Sequence, residues 1–216
     1  MSTLLSLIRR DIAREWRSGS WWLPITFFLL VATLYPFAVG PDRPLLAKTG
    51  GGILWIAALL AALLPIERLF AADREAGVLD QLALRGIADE SIAAAKLIGH
   101  SLSFGLPLLV ACLPGAALLG LEGQTLMQLV IGLAIGVPAL AGLAVIVSAV
   151  TLGTRGGGAL GGLLVLPLAV PVLIFGAGML APAGRGAMLF LGAASLLIVA
   201  ITPFAAGAGL RAAREQ

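Results

Sequence analysis

Six stretches of the chain contain no Asp, Glu, Lys or Arg: residues 18–41, 49–66, 97–121, 123–154, 156–184 and 186–210. A helix rises ~1.5 Å per residue, so about 20 apolar residues carry it across a hydrocarbon core ~30 Å thick. Each stretch is near or above that length. The apolar runs are continuous and lack the period-2 alternation of a membrane barrel. Backbone groups in lipid must bond within their own segment, so such runs are helices. Composition agrees: 60% of residues are hydrophobic and 12% charged, against about 25% charged in a soluble domain. The expected fold is all-α, a polytopic membrane protein with six transmembrane helices in one domain spanning residues 1–216. The 49–66 stretch is the shortest and carries Pro65 near its end. Arg9, Arg10, Arg14 and Arg17 precede the first stretch as they would in a signal peptide. That basic region is long, however, and no small-x-small cleavage site follows Val31, so 18–41 reads as a retained span.

Lys and Arg give the orientation. With six spans, one side receives the N-terminal segment, residues 67–96, Arg155 and the C-terminal segment, which together hold eleven Lys and Arg residues. The other side holds Arg43, Lys48 and Arg185. The positive-inside rule then places both termini on the cytoplasmic side. A net charge of +3 follows from these arginines. It implies contact with anionic lipid headgroups and calls for no nucleic acid.

Residues 2–17 read as an interfacial helix. Leu4, Leu5, Ile8, Ile12 and Trp16 share one face, with Arg10, Arg14 and Arg17 opposite. Glu15 interrupts the apolar face and Leu7 the polar one. Trp21 and Trp22 mark the membrane interface, and Gly40-Pro-Asp-Arg-Pro44 is a short outer connection. The one sizeable soluble piece is residues 67–90, with six acidic residues (Glu67, Asp73, Glu75, Asp80, Asp89, Glu90) and three arginines (Arg68, Arg74, Arg85). Gly77 permits a break, Val78 to Arg85 forms a short helix with Leu79, Leu82 and Ala83 on one side, and Gly86 ends it. Asp89 is placed to cap the next helix. A two-turn helix cannot bury an apolar face alone, and the mixed charge favours a protein socket over lipid.

The later stretches are rich in Gly and Pro. Gly132/Gly136 and Gly157/Gly161 have the spacing that lets helices approach closely. No charged residue lies mid-span, which argues against ion coupling within the chain. No phosphate-binding Gly-x-x-x-x-Gly-Lys-Ser/Thr loop exists, so the chain cannot bind ATP by a P-loop. His100 is the lone histidine, and Ser101 and Ser103 share its helix at spacings that do not aim a hydroxyl at imidazole. No His, Cys and carboxylate cluster suggests a metal. Cys112, the lone cysteine, reads as a packing residue. As a heme axial ligand His100 has Met127, Met179 or Met188 as conceivable partners; the plainer reading is a histidine near the cytoplasmic interface bonding a neighbouring helix. The chain does not read as an enzyme.

Several motifs in order carry a resemblance: Leu34-Tyr-Pro-Phe-Ala-Val-Gly-Pro41, Gly52-Ile-Leu-Trp-Ile-Ala-Ala-Leu-Leu60, Glu67-Arg-Leu-Phe70, Gly77-x-Leu-Asp-Gln-Leu82, Ala95-Lys-x-x-x-His100, Gly105-Leu-Pro-Leu-Leu109 and Leu166-Pro-x-x-x-Pro171. Together they resemble the CcmB family, heme exporter protein B of bacterial cytochrome c maturation, over nearly the whole chain. Gly86 and Ile87 stand where that family would place a proline-containing turn. The resemblance implies an ABC exporter (ABC-2-like) permease bundle with an N-terminal interfacial helix and a cytoplasmic coupling helix. It implies ATP bound by the partner subunit CcmA, neighbours CcmC and CcmD, and heme delivered to, or released with, the periplasmic chaperone CcmE. Heme would be a substrate of the complex and not a cofactor of this chain. A homodimer is compatible with such permeases.

The coupling residues would then be Glu67, Arg68, Asp73, Gly77, Leu79, Asp80, Gln81, Leu82 and Arg85, with Leu79 and Leu82 buried in the ATPase and Asp80 and Arg85 at the rim. The alternatives are an ABC-2 type permease for a lipid, drug or polysaccharide, and a scaffold subunit that transports nothing.

Overall fold

The computed structural model describes residues 2–154, 157–181 and 184–215. Among them there is no strand. The chain runs through α1 (Ser2–Ser18), α2 (Trp22–Val39), α3 (Arg43–Leu63), α4 (Arg68–Glu75), α5 (Val78–Leu84), α6 (Asp89–Leu118), α7 (Gly123–Val150), α8 (Gly157–Gly178) and α9 (Arg185–Arg214). Five segments are long and apolar enough to cross a membrane: α2, α3 with its continuation through α4, α6, α7 and α9. In α8 the described apolar run of Leu163–Gly178 is shorter. It still passes from the Val147 end of α7, where Gly161 meets Val147 and Ile66, to the Gly132 end, where Met179 lies against Gly132. Arg155, counted above among the inward charges, lies outside the described residues, as do the surroundings of Gly157.

Local chemistry sets the boundaries. The connection between α2 and α3 shrinks to Gly40–Asp42, because Pro44 is preorganised for a first helical turn and the Asp42 side chain accepts from the Leu45 amide at 3.3 Å. Helix α3 therefore starts at Arg43, six residues before its charge-free stretch. At its other end Pro65 lies in a turn between α3 and α4, so the long apolar segment is interrupted there before α4 begins at Arg68. Gly77, at φ +64°, turns the chain from α4 into α5 in a conformation that costs any residue with a Cβ. Helix α5 closes as a Schellman motif: Ile87 N–H donates to Leu82 O and Gly86 N–H to Ala83 O. Asp89 is not the cap of α6. Ala88 holds that position without a side-chain bond, and Asp89 pairs with Arg214 of α9.

The core is built around Trp55 of α3. Its indole lies where a Cβ on Gly136 or Gly176 would come within 2.7 or 2.5 Å of it, and Gly132 also faces it. The small-residue pair 132/136 thus seats an aromatic ring from α3, where close backbone approach was the expectation. Helices α7 and α9 pack most extensively, and Ser195 Oγ of α9 donates to Ile135 O of α7 at 2.6 Å.

Candidate functional site

Helix α1, the α4–α5 segment and the C-terminal end of α9 meet at one end of the bundle. Helix α1 packs along α6, with Leu7 buried and Leu4 and Ile8 against the core. Leu5 and Trp16 are exposed. The packed stripe is therefore Leu7 and Asp11, both buried, with Leu4, Ile8 and Glu15 half-buried. Leu7 and Glu15, the two residues that broke the apolar pattern read from sequence, lie on the side packed against the bundle. The two helices come close at Gly99, where an added Cβ would meet Asp11 Cβ at 3.3 Å and Ile8 O at 3.8 Å.

Asp11 belongs to a buried ion cluster. Lys96 of α6, 4% exposed, extends its Nζ 2.8 Å from Asp73 Oδ2 and 3.1 Å from Asp11 Oδ2. Asp73 of α4 is 1% exposed, and Asp11 is 3% exposed. Arg10 donates to Asp11 at 2.7 Å and reaches Asp73 at 3.4 Å, while Arg14 Nη1 donates to Asp73 Oδ1. Three helices thus share one ion cluster, with Lys96 at its dry centre and Arg10 and Arg14 on its wetter rim. Such charges endure in the interior only because each has partners.

One turn further along α6 lies His100. Its Nδ1 is 3.6 Å from Glu15 Oε1, its imidazole stacks on Phe104 with centroids 5.7 Å apart, and neither ring nitrogen makes a hydrogen bond. Burial opposes ionisation of Glu15, but His100 and Lys96 beside it outweigh that and hold its carboxyl below the usual carboxylate range. The expected bond from His100 to a neighbouring helix is thus a looser approach to α1. Met127, Met179 and Met188 do not line the cavity beside His100. Among the described residues there is no group of three or more metal-ligating side chains.

That cavity, of about 400 Å³, lies between α1 and α4. Its α1 side carries Asp11, Arg14 and Glu15, its α4 side Arg68, Leu69 and Glu75, and Lys96, His100 and Phe104 of α6 line it too. Trp21 and Pro24 add an apolar edge. A smaller cavity of about 150 Å³ lies beside α5, lined by Arg74, Leu79, Asp80, Asp89 and Arg214.

The residues singled out in 67–90 divide sharply. Glu67 and Arg68 are exposed, and Arg68 faces the larger cavity. Asp73 is locked in the ion cluster. On α5, Asp80 and Gln81 are exposed, as is Arg85 just after it, but Leu79 and Leu82 are buried in the chain's own core. They cannot also be the side chains buried in a partner. Leu84 is 89% exposed and forms the apolar point of that surface. Sequence reading missed Leu84 because it assigned the apolar face of α5 outward.

It also missed the cluster, whose signal was two pairs of polar residues one turn apart: Asp11 with Glu15, and Lys96 with His100.

A family model described as "CcmB protein" matches residues 2–213. The chain is 44% identical over 212 residues to "Heme exporter protein B" of Paracoccus denitrificans (strain Pd 1222), covering 95% of this chain and 97% of that protein. It is 44% identical over 218 residues to "Heme exporter protein B" of Bradyrhizobium diazoefficiens, covering 98% of each. Against "Heme exporter protein B" of Escherichia coli (strain K12) the identity is 39% over 193 residues, covering 87% of this chain and 88% of that one. With a family model matched from the first turn of α1 to the last of α9, the chain belongs to the CcmB family.

Proposed function

We propose that this chain is the permease subunit of an ABC-type complex for cytochrome c biogenesis. It couples ATP hydrolysis by a partner subunit to heme delivery to, or release of, a periplasmic heme chaperone. The observation that carries this reading is the likeness to heme exporter B proteins along almost the whole chain. In the same reading the partners are the ATPase CcmA, CcmC, CcmD and the chaperone CcmE. The bundle sits in the inner membrane with α8 as a sixth crossing and both termini cytoplasmic.

The ATPase engages α5. An exposed leucine flanked by Asp80, Gln81 and Arg85 suits a shallow apolar socket with a polar rim. Leu79 and Leu82, buried beneath, tie that surface to the bundle so that a push on it is felt inside.

The expected outcome is that Leu84→Asp with charge reversal at Asp80 and Arg85 abolishes co-purification of the ATPase subunit, while Leu84→Ala weakens it. A strain lacking this chain should lose heme-loaded chaperone and c-type cytochromes, and the wild-type chain should restore both. Normal cytochrome maturation in that strain would end the assignment.

A further inference from the structure

We propose that Asp73 is a releasable latch that holds α4 against α1, and that ATPase engagement of α5 releases it and opens the cavity between them. Asp73 is thereby a positioning residue for the coupling step, and the inference rests on the function proposed above.

Three observations carry it. First, α1 packs along α6, whereas α4 meets α1 through the Asp73 carboxylate across a cavity. On the side facing α1 that contact is made by side-chain charges beside a cavity, while Leu69 and Phe70 anchor α4 in the core, so α4 parts from α1 by pivoting on them.

Second, the cluster is asymmetric. Lys96 and Asp11 are almost fully buried and join α1 to α6. Arg10 and Arg14 are 34% and 43% exposed, and they join α1 to α4. When α4 moves, these two guanidiniums regain water at little cost, and Arg10 keeps its 2.7 Å contact with Asp11. Lys96, which also ties α6 to α4, gives up its 2.8 Å contact with Asp73 and keeps Asp11 as a partner. No charge is stranded in the interior on the α1–α6 side, so the open arrangement lies within reach of a docking event.

Third, the lever is short. Only Gly77, at φ +64°, and Ala76 separate α4 from α5, so a force on α5 is delivered directly to the helix that bears Asp73. Opening would bring water to the Leu69 face of α4 and to His100, whose Nε2 has no hydrogen-bond partner.

The test uses the assembled complex with its ATPase subunit in nanodiscs, carrying Cys112→Ala and a reporter Leu69→Cys on the cavity wall. The rate of modification by a membrane-impermeant maleimide is read with and without a non-hydrolysable ATP analogue. The analogue should raise the rate about tenfold, the population shift worth one charge-assisted contact. Asp73→Asn should give the high rate without nucleotide, and Arg14→Gln a smaller rise in the same direction. Both leave Lys96 paired with Asp11, and retained assembly with the ATPase subunit checks folding. A rate that responds to neither nucleotide nor Asp73→Asn would overturn the latch. If Asp73→Asn raises the rate but nucleotide does not, although the ATPase co-purifies, docking is not what releases it and the proposal fails while the coupling reading stands. If the Leu84 variants leave co-purification untouched, the coupling reading fails, and the latch as its transmission fails with it.

Discussion

Lys96 shows what a single buried charge does in this fold. Its ammonium has two carboxylates within 3.1 Å and lies 5.5 Å from the Phe70 ring centroid. Replacing it by methionine preserves most of the volume but leaves Asp11 and Asp73 facing each other, with only the rim arginines to offset them. Removing one partner of a buried ion pair costs about 3–5 kcal/mol. We expect Lys96→Met to fall toward the lower end of that range, because Arg10 and Arg14 remain. Adding Asp11→Asn should recover part of the loss, and Lys96→Arg should lose least. Thermal unfolding of the detergent-purified chain measures this order; a Lys96→Met protein as stable as wild type would mean the cluster contributes nothing. The residues of this cluster were visible in the sequence only as blemishes. Hydrophobic periodicity scores Asp11 and Glu15 against the packed face, since it cannot see that Lys96 and His100 of another helix sit opposite. A pairing between residues 85 positions apart leaves no local trace.

At the level of helices, more was legible. The charge-free stretches located the five long apolar segments and α8, and Gly77 and Gly86 punctuated 67–90 where the chain turns. What failed was direction of facing. Helix α5 has two leucines that could serve either the core or a partner, and only the bundle around them, with Leu79 beside Leu152 and Leu210, decides that Leu79 and Leu82 turn inward. The packing of α1 on α6 yields the prediction belonging to this scale. Gly99 has no room for a side chain beyond Cβ, since Asp11 Cβ would already lie at 3.3 Å. Gly99→Leu should displace α1 at an overpacking cost of about 1–3 kcal/mol. Trypsin should then cleave at Arg9, Arg14 or Arg17 faster in native membranes, with Gly99→Ala intermediate. Unchanged cleavage would show that α1 does not depend on this contact.

For the molecule as a whole, the ion pairs bear on topology as well as stability. Arg10 and Arg14 reach Asp73, and Arg214 reaches Asp89, so the N-terminal helix, the 67–90 segment and the end of α9 share one end of the bundle. These are the segments that the Lys and Arg count assigns to one side. The two findings are independent, since side-chain geometry knows nothing of the positive-inside bias. The topology proposed above has an even number of crossings from the 67–90 segment to the end of α9, and it counts α8 as a span despite its shorter described apolar run. Reporter fusions test this directly. Alkaline phosphatase should be active when inserted at Pro41 or Gly120, and inactive after Ala76 or at the C-terminus, where green fluorescent protein should fluoresce instead. Phosphatase activity at the C-terminus, with none after Ala76, would mean an odd number of crossings beyond α5. It would strip α8 of its span and put the Arg214–Asp89 pair on opposite faces of the membrane, which one ion pair cannot bridge.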